Sequence, residues 1–155
     1  MINFTGEFDC KVDAKGRILL PVTFRRQMGE VEVYRFVIKQ DPYVQCLEMF
    51  TIEEWEKMNK KIQKNTKTFD LVHRQVVREF RRGATEVESD PTGRILIPGR
   101  LLKQVGITND AVLSGYFGKI EIWSPDTFYG SGDDEKERQE RFQRIIGDII
   151  NNDDE

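Results

Sequence analysis

The pattern of apolar and polar positions divides this chain into short strands and amphipathic helices. A strand is expected over 7–12, a turn over 13–17, and a second short strand at Ile18-Leu-Leu. In the turn, Gly16 can take a positive φ without penalty, and the Asp13 carboxylate can accept hydrogen bonds from turn amides. Pro21 suits the first position of a short helix reaching Met28, with Gly29 as its C-terminal cap. Strands near 31–40 and 44–50 follow. Thr51 then caps a helix over roughly 52–64, Glu54 completing a capping box, with Trp55, Met58 and Ile62 on one face. A second helix near 67–82 carries Phe69, Val72, Val76 and Phe80 at spacings of three and four, and Gly83 ends it. Residues 84–128 repeat the β-rich plan. A last amphipathic helix over 136–150 has Phe142, Ile145, Ile146, Ile149 and Ile150 as its apolar positions, behind a flexible joint at 130–134.

The repetition is literal. Asp13-Ala-Lys-Gly-Arg17-Ile-Leu-Leu-Pro21 returns 77 positions later as Asp90-Pro-Thr-Gly-Arg94-Ile-Leu-Ile-Pro98. A second echo, Leu47-Glu-Met-Phe-Thr-Ile-Glu-Glu-Trp55 against Ile120-Glu-Ile-Trp-Ser-Pro-Asp-Thr-Phe128, is offset by 73. Two copies are too few for a stacked solenoid, so two-fold pairing of a duplicated unit is expected. The chain then divides into a first copy (1–60), a helical insert (61–83), a second copy (84–130) and an acidic C-terminal helix and tail (131–155). The Trp55 face is expected to pack on its own core. The C-terminal stripe could pack there or serve a partner.

Composition bounds the rest. A chain of 155 residues buries roughly 70% of its unfolded surface, enough for one compact domain. No stretch approaches the ~20 apolar residues of a membrane span, and the N-terminal residues do not read as a signal peptide. Cys10 and Cys46 read as separate thiols in a reducing cytoplasm rather than as a disulfide. The net charge of −3 argues against a nucleic-acid partner until its distribution is seen. Residues 133–155 hold nine acids and four bases, so 1–132 carry +2, and within them 56–82 hold nine bases and three acids.

Catalysis finds little support. His73 is the only histidine, placed mid-helix among arginines, where a surface or packing role explains it better than general-base chemistry. One His and two distant Cys do not supply the soft ligands of a zinc site, and no phosphate-binding glycine loop is present. No enzyme activity, metal or cofactor is expected. The chemistry-bearing feature is the twice-used Asp-x-x-Gly-Arg turn. Asp and Arg four apart could simply pin it, but an exposed pair contributes only about 0–1 kcal/mol. The alternative is nucleic-acid contact, because Arg offers a planar fork matching guanine O6/N7 or a phosphate. Spacing alone admits both readings. The duplication favours contact, since two such turns can address successive positions along one groove.

The residues also carry a resemblance. Phe4-x-Gly6-Glu7-Phe8, the two Asp-x-x-Gly-Arg phrases, Pro42-x-x-x-Cys46-Leu, Phe50-x-x-x-x-Trp55, the Arg74–Gly83 helix end and Phe117-Gly-Lys-Ile-Glu-Ile-Trp123 run in order over residues 1–130. Together they resemble the MraZ family of bacterial transcriptional regulators, within the AbrB-like swapped-hairpin superfamily. The resemblance implies an α+β fold, a duplicated swapped-hairpin β-barrel forming an intramolecular pseudo-dimer. It implies a ring-like homo-oligomer that binds repeated boxes of double-stranded DNA upstream of the cell-division and cell-wall gene cluster, its own gene included, in the cytoplasm at the nucleoid. Arg17 and Arg94 would contact DNA, Asp13 and Asp90 would orient the turns with Gly16 and Gly93, and Lys15 would meet a phosphate. Thr92 replaces the second lysine, so the turns are not equivalent. The runner-up is an antitoxin-like barrel that engages a protein partner through its acidic C-terminal segment. The tail beyond 130 lies outside these motifs.

Overall fold

The computed structural model describes residues 2–130 and 134–152. The elements run β1 (Glu7–Lys11), β2 (Arg17–Leu19), α1 (Val22–Met28), β3 (Arg35–Gln40), β4 (Leu47–Thr51), α2 (Ile52–Asn65) and α3 (Leu71–Arg81). The second half adds β5 (Thr85–Glu88), β6 (Arg94–Leu96), α4 (Gly99–Gln104), β7 (Asp110–Tyr116), β8 (Lys119–Trp123), α5 (Pro125–Tyr129) and α6 (Glu135–Asn151).

All strand pairs are antiparallel, in a six-stranded sheet of order β1-β7-β8-β4-β3-β5 and a two-stranded ribbon β2-β6. Exchanging each strand with its repeat partner reverses the sheet order onto itself, the signature of an internal two-fold. β1 pairs with β7 of the other copy, and β5 pairs with β3, so each copy gives its first strand to its neighbour. This is the α+β, duplicated swapped-hairpin arrangement. The axis passes between residues that face their own counterparts. Ile18 opposes Ile95 in the ribbon, and Glu48 opposes Glu121 in the sheet.

The core lies between ribbon and sheet. Ile18, Leu20, Ile95 and Ile97 face Met49, Leu113 and Ile122 across it. Phe24 of α1 is fully buried, edge-on to Phe4 and Phe8 at centroid separations of 5.6 and 5.1 Å. β3 is buried on both faces at Phe36–Lys39, because the helical insert covers the outer side of the sheet. There Trp55 stacks on Phe80 at 5.7 Å and leans on Phe50, so the Trp55 face packs on its own barrel.

Several boundaries differ from expectation. Pro21 is the N-cap of α1 rather than its first helical residue; its extended ψ of 138° leaves Val22 to begin the helix. β3 starts at Arg35 rather than near 31, and β4 at Leu47 rather than 44. Between the two strands, Asp41 Oδ1 accepts the Tyr43 and Val44 N–H groups and turns the chain. α3 starts at Leu71 rather than near 67, because the Asp70 carboxylate accepts the Val72 and His73 N–H groups as an N-cap. Phe69 is therefore outside the helix and 99% exposed, and Val72 and Val76 are exposed too. The packed face of α3 runs through His73, Val77 and Phe80 instead. The Thr51 cap forms as expected, its hydroxyl accepting the Glu54 N–H at 3.2 Å. The division expected at 60/61 falls inside α2. α6 buries none of its residues, and most of the joint expected before it lies outside the described residues.

Candidate nucleic-acid interface

Both Asp-x-x-Gly-Arg phrases fold into the same closed turn. In the first, Asp13 N–H donates to the Arg17 carbonyl at 3.0 Å, and Gly16 N–H to the Asp13 carbonyl at 3.0 Å. Asp13 Oδ1 accepts the Lys15 and Arg17 N–H groups, each at 2.9 Å. In the second, Asp90 N–H donates to the Arg94 carbonyl at 2.8 Å and Gly93 N–H to the Asp90 carbonyl at 3.0 Å. Asp90 Oδ1 accepts the Thr92 and Arg94 N–H groups at 2.9 Å and the Thr92 hydroxyl at 2.7 Å. Gly16 and Gly93 sit at φ +88° and +91°, the left-handed region the turn demands. The Asp13 carboxyl is held below the usual carboxylate range, first by the Arg17 N–H. Asp90 is lowered too, first by the Thr92 hydroxyl and then by the Arg94 N–H.

The fold brings the turns together. Leu20 N–H donates to the Gly93 carbonyl at 2.9 Å and Ile97 N–H to the Gly16 carbonyl at 3.0 Å, so each copy's turn is tied to the strand end of the other. Between them the β2-β6 ribbon pairs Arg17 with Leu96 and Leu19 with Arg94. Ile18 and Ile95 point into the core, which puts Arg17, Leu19, Arg94 and Leu96 on the outer face. Leu19 and Leu96 are 49% and 55% exposed. The result is a two-stranded ribbon presenting two guanidinium groups beside two leucines, with Lys15 exposed on the first turn.

The two arginines differ in a way that sequence did not show. Arg17 Nε donates to Asp13 Oδ2 at 2.7 Å, which holds its guanidinium against its own turn. Thr92 occupies Asp90 instead, and the exposed Arg94 guanidinium has no hydrogen-bond or ion-pair partner among the described residues. Sequence reading also missed Arg25. Its side chain crosses Gly93, where an added Cβ would meet it at 3.1 Å, and its Nε donates to the Leu20 carbonyl. The matching contact at Gly16 is made by Leu102, so a cation crosses the turn glycine at the second turn and an apolar side chain does so at the first. The signal lay in comparing α1 with α4, where Arg25 stands 77 positions before Leu102. Leu19 and Leu96 were missed because apolar residues in a short strand read as core.

His73 does not sit among reactive groups. Its Nδ1 accepts the Lys67 N–H at 3.1 Å, and its Nε2 lies 3.8 Å from Asp70 Oδ2, a local helix-start arrangement. Cys10 is half-buried and Cys46 buried, and neither is in a disulfide.

Fold and turns define a duplicated swapped-hairpin barrel with a paired-turn basic ribbon. The family model described as "MraZ protein, putative antitoxin-like" matches residues 3–77 and 80–147, one segment for each copy. The protein named transcriptional regulator MraZ of Christiangramia forsetii is 34% identical over 154 residues, covering 99% of this chain and 97% of that one. Its namesake in Flavobacterium psychrophilum is 35% identical over 156 residues, covering 100% and 98%. The chain belongs to the MraZ family. The match reaches residue 147, well into α6, which corrects the expectation that the family likeness stops at 130.

Proposed function

We propose that this protein is a DNA-binding transcriptional regulator that inserts the β2-β6 ribbon into the major groove of double-stranded DNA. The observation that carries this reading is the ribbon's outer face, where Arg17 and Arg94 stand on rigid turns bonded to one another's copy. A two-stranded ribbon is one of the two elements the major groove admits. The guanidinium forks suit guanine O6/N7, and the exposed Leu19 and Leu96 suit thymine methyl groups. Lys15 and Arg25 flank the ribbon as phosphate contacts. Asp13, Asp90, Gly16 and Gly93 hold the turns. The names of the relatives support transcriptional regulation, and family membership supports a target in the cell-division and cell-wall cluster and at its own promoter. No helix of the described residues is long and apolar enough to cross a membrane. As a regulator bound to chromosomal DNA, the protein would work in the cytoplasm at the nucleoid.

One ribbon carries few charges, so a single chain binds weakly. Several ribbons on one ring-like homo-oligomer, meeting repeated DNA boxes, gain by effective concentration, by factors of about 10² to 10⁴. The exposed apolar residues of α3 and α6 are the surfaces for such assembly. A second reading uses α6 alone. Its stripe stands exposed in an acidic segment, and the family description itself includes an antitoxin-like role, so α6 would engage a protein partner.

The test is a salt-series anisotropy titration on DNA from upstream of the gene, comparing wild type with an Arg17→Ala/Arg94→Ala double variant. Salt-steep binding lost in the variant is expected. A folded, assembled wild type that ignores this DNA would overturn the ribbon reading in favour of the α6 one.

A further inference from the structure

The internal two-fold places Glu48 and Glu121 opposite each other, and the two copies treat these carboxylates differently. Glu48 is 5% exposed and holds two ammonium groups: Lys39 Nζ at 3.0 Å on Oε1 and Lys119 Nζ at 2.5 Å on Oε2. Lys119 stands 73 positions after Cys46, the offset of this pair of strands, so Cys46 occupies the position facing Glu121 that Lys119 occupies facing Glu48. Lys39 likewise has Ser114 as its counterpart on β7, since Ile38 faces Met49 as Leu113 faces Ile122. Glu121 thus makes an ion pair with neither cation, and Lys119, bound to Glu48, reaches it only through space. Glu121 receives the Trp123 indole N–H on Oε1 at 3.2 Å, and beside it lie the Cys46 thiol and the Asp41 carboxylate.

One oxygen of Asp41, one of Glu121 and the Cys46 sulfur all lie within 4.8 Å of one another. Asp41 Oδ1 is occupied by the Tyr43 and Val44 N–H groups, which orients the group and leaves Oδ2 without a hydrogen bond. Oε2 of Glu121 is similarly left by the indole. Asp41 N–H donates to the Cys46 carbonyl at 2.9 Å, which keeps the two ligands face to face across the hairpin. The Cys46 side chain is fully buried, and its sulfur has no hydrogen-bond partner among the described residues. Burial first, then the Glu121, Asp41 and Glu48 charges, push its thiol far up, against the lowering pull of Lys119. Glu121 is raised as well, first by burial.

We propose that Asp41, Cys46 and Glu121 bind a divalent metal ion of the zinc class, standing where the other half of the molecule has a lysine ammonium. The donor set is one sulfur and two oxygens, and each carboxylate has one oxygen fixed by hydrogen bonds and the other free of them, as metal-binding carboxylates are commonly held. Three protein ligands leave a fourth tetrahedral position for water. Zinc–ligand distances of about 2.0–2.3 Å put tetrahedral ligand atoms roughly 3.5 Å apart, a contraction that rotation of the two partly buried carboxylates supplies. The thiolate excludes calcium and magnesium as preferred ions, which take oxygen ligands. Binding releases the Cys46 proton to solvent as the metal–sulfur bond forms. The ion joins the β3-β4 hairpin of the first copy to β8 of the second.

The experiment is a cobalt(II) titration of the reduced, chelator-treated full chain, followed by displacement with zinc. Wild type is expected to develop a thiolate-to-cobalt charge-transfer band saturating at one equivalent and erased by zinc, with Tm rising on zinc addition. Cys10→Ser keeps the band and Cys46→Ser loses it. Asp41→Asn retains its turn hydrogen bonds on Oδ1 and weakens binding by about tenfold or more. A folded wild type without the band, a band surviving in Cys46→Ser, or wild-type affinity in Asp41→Asn each overturns the site. Should Cys46→Ser fail to fold, the Asp41→Asn affinity decides.

Discussion

At the scale of single residues, the difference between Arg17 and Arg94 leads to a prediction that sequence would have ordered the other way. Arg17 lies in the turn carrying Lys15, yet its guanidinium is already committed to Asp13, whereas the exposed Arg94 guanidinium makes no hydrogen bond or close ion pair among the described residues and feels Asp90 only through space. A base-reading Arg94 lost to alanine costs about 1–3 kcal/mol of DNA affinity. Arg17→Ala should cost less, since DNA contact there competes with an existing ion pair. Anisotropy titrations of the two single variants check the order, and equal losses would mean that DNA displaces Asp13 at no cost. The turns also have a definite pH sign. Asp13 and Asp90 are lowered in the folded protein, so what they contribute is present above the ordinary carboxylate range and lost only as pH falls through the depressed native values. Turn geometry, followed by the amide resonances of Arg17 and Arg94, should therefore be unchanged from neutral pH down through the usual Asp range. Asp90→Asn should leave these resonances in place at neutral pH, because an amide oxygen can still accept the Thr92 and Arg94 N–H groups.

Among the elements, the β2-β6 ribbon does two jobs on its two faces. Its inner face is core and its outer face meets solvent, so packing and recognition are coupled through three-residue strands. Ile95→Ala removes a side chain 2% exposed at the axis and should cost about 2–5 kcal/mol in denaturant unfolding. A cost below 1 kcal/mol would show that the ribbon rests on the sheet without depending on it. The insert shows what the apolar pattern alone could tell. The period in α2 identified its packed face correctly, because Trp55 meets Phe50 and Phe80. In α3 the same periodicity grouped Phe80 with Phe69, Val72 and Val76, of which only Phe80 packs. Apolar spacing records that a face is hydrophobic, and it does not record whether its partner lies within the same chain. If the exposed face of α3 builds the oligomer, Val72→Lys/Val76→Lys should lower the assembled mass in analytical ultracentrifugation while leaving thermal stability near wild type. An unchanged mass would move the assembly surface elsewhere.

For the whole molecule, the uneven charge and the largely exposed C-terminal helix belong together. The acidic excess of residues 133–155 belongs to the segment carrying α6, none of whose described residues is fully buried, while residues 1–132 carry the positive balance and the ribbon. Removing 133–155 should leave the melting transition of the barrel in place and leave DNA affinity equal or higher, measured by calorimetry and anisotropy. Unfolding on truncation would show that α6 is part of the core the barrel depends on. The duplication, the two turns, the capped starts of α2 and the family likeness were all legible along the chain, because each depends on residues a few positions apart and on a repeat that can be counted. Other features depend on distant segments meeting. These are the exchange of first strands between copies, the ribbon's outward leucines, Arg25 against Gly93, and the gathering of Asp41, Cys46 and Glu121 at the axis. The same nine-residue phrase could have folded into two separate hairpins. Pairing across the two-fold, driven by burying Ile18 and Ile95 against a shared sheet, made it one surface with two unlike halves.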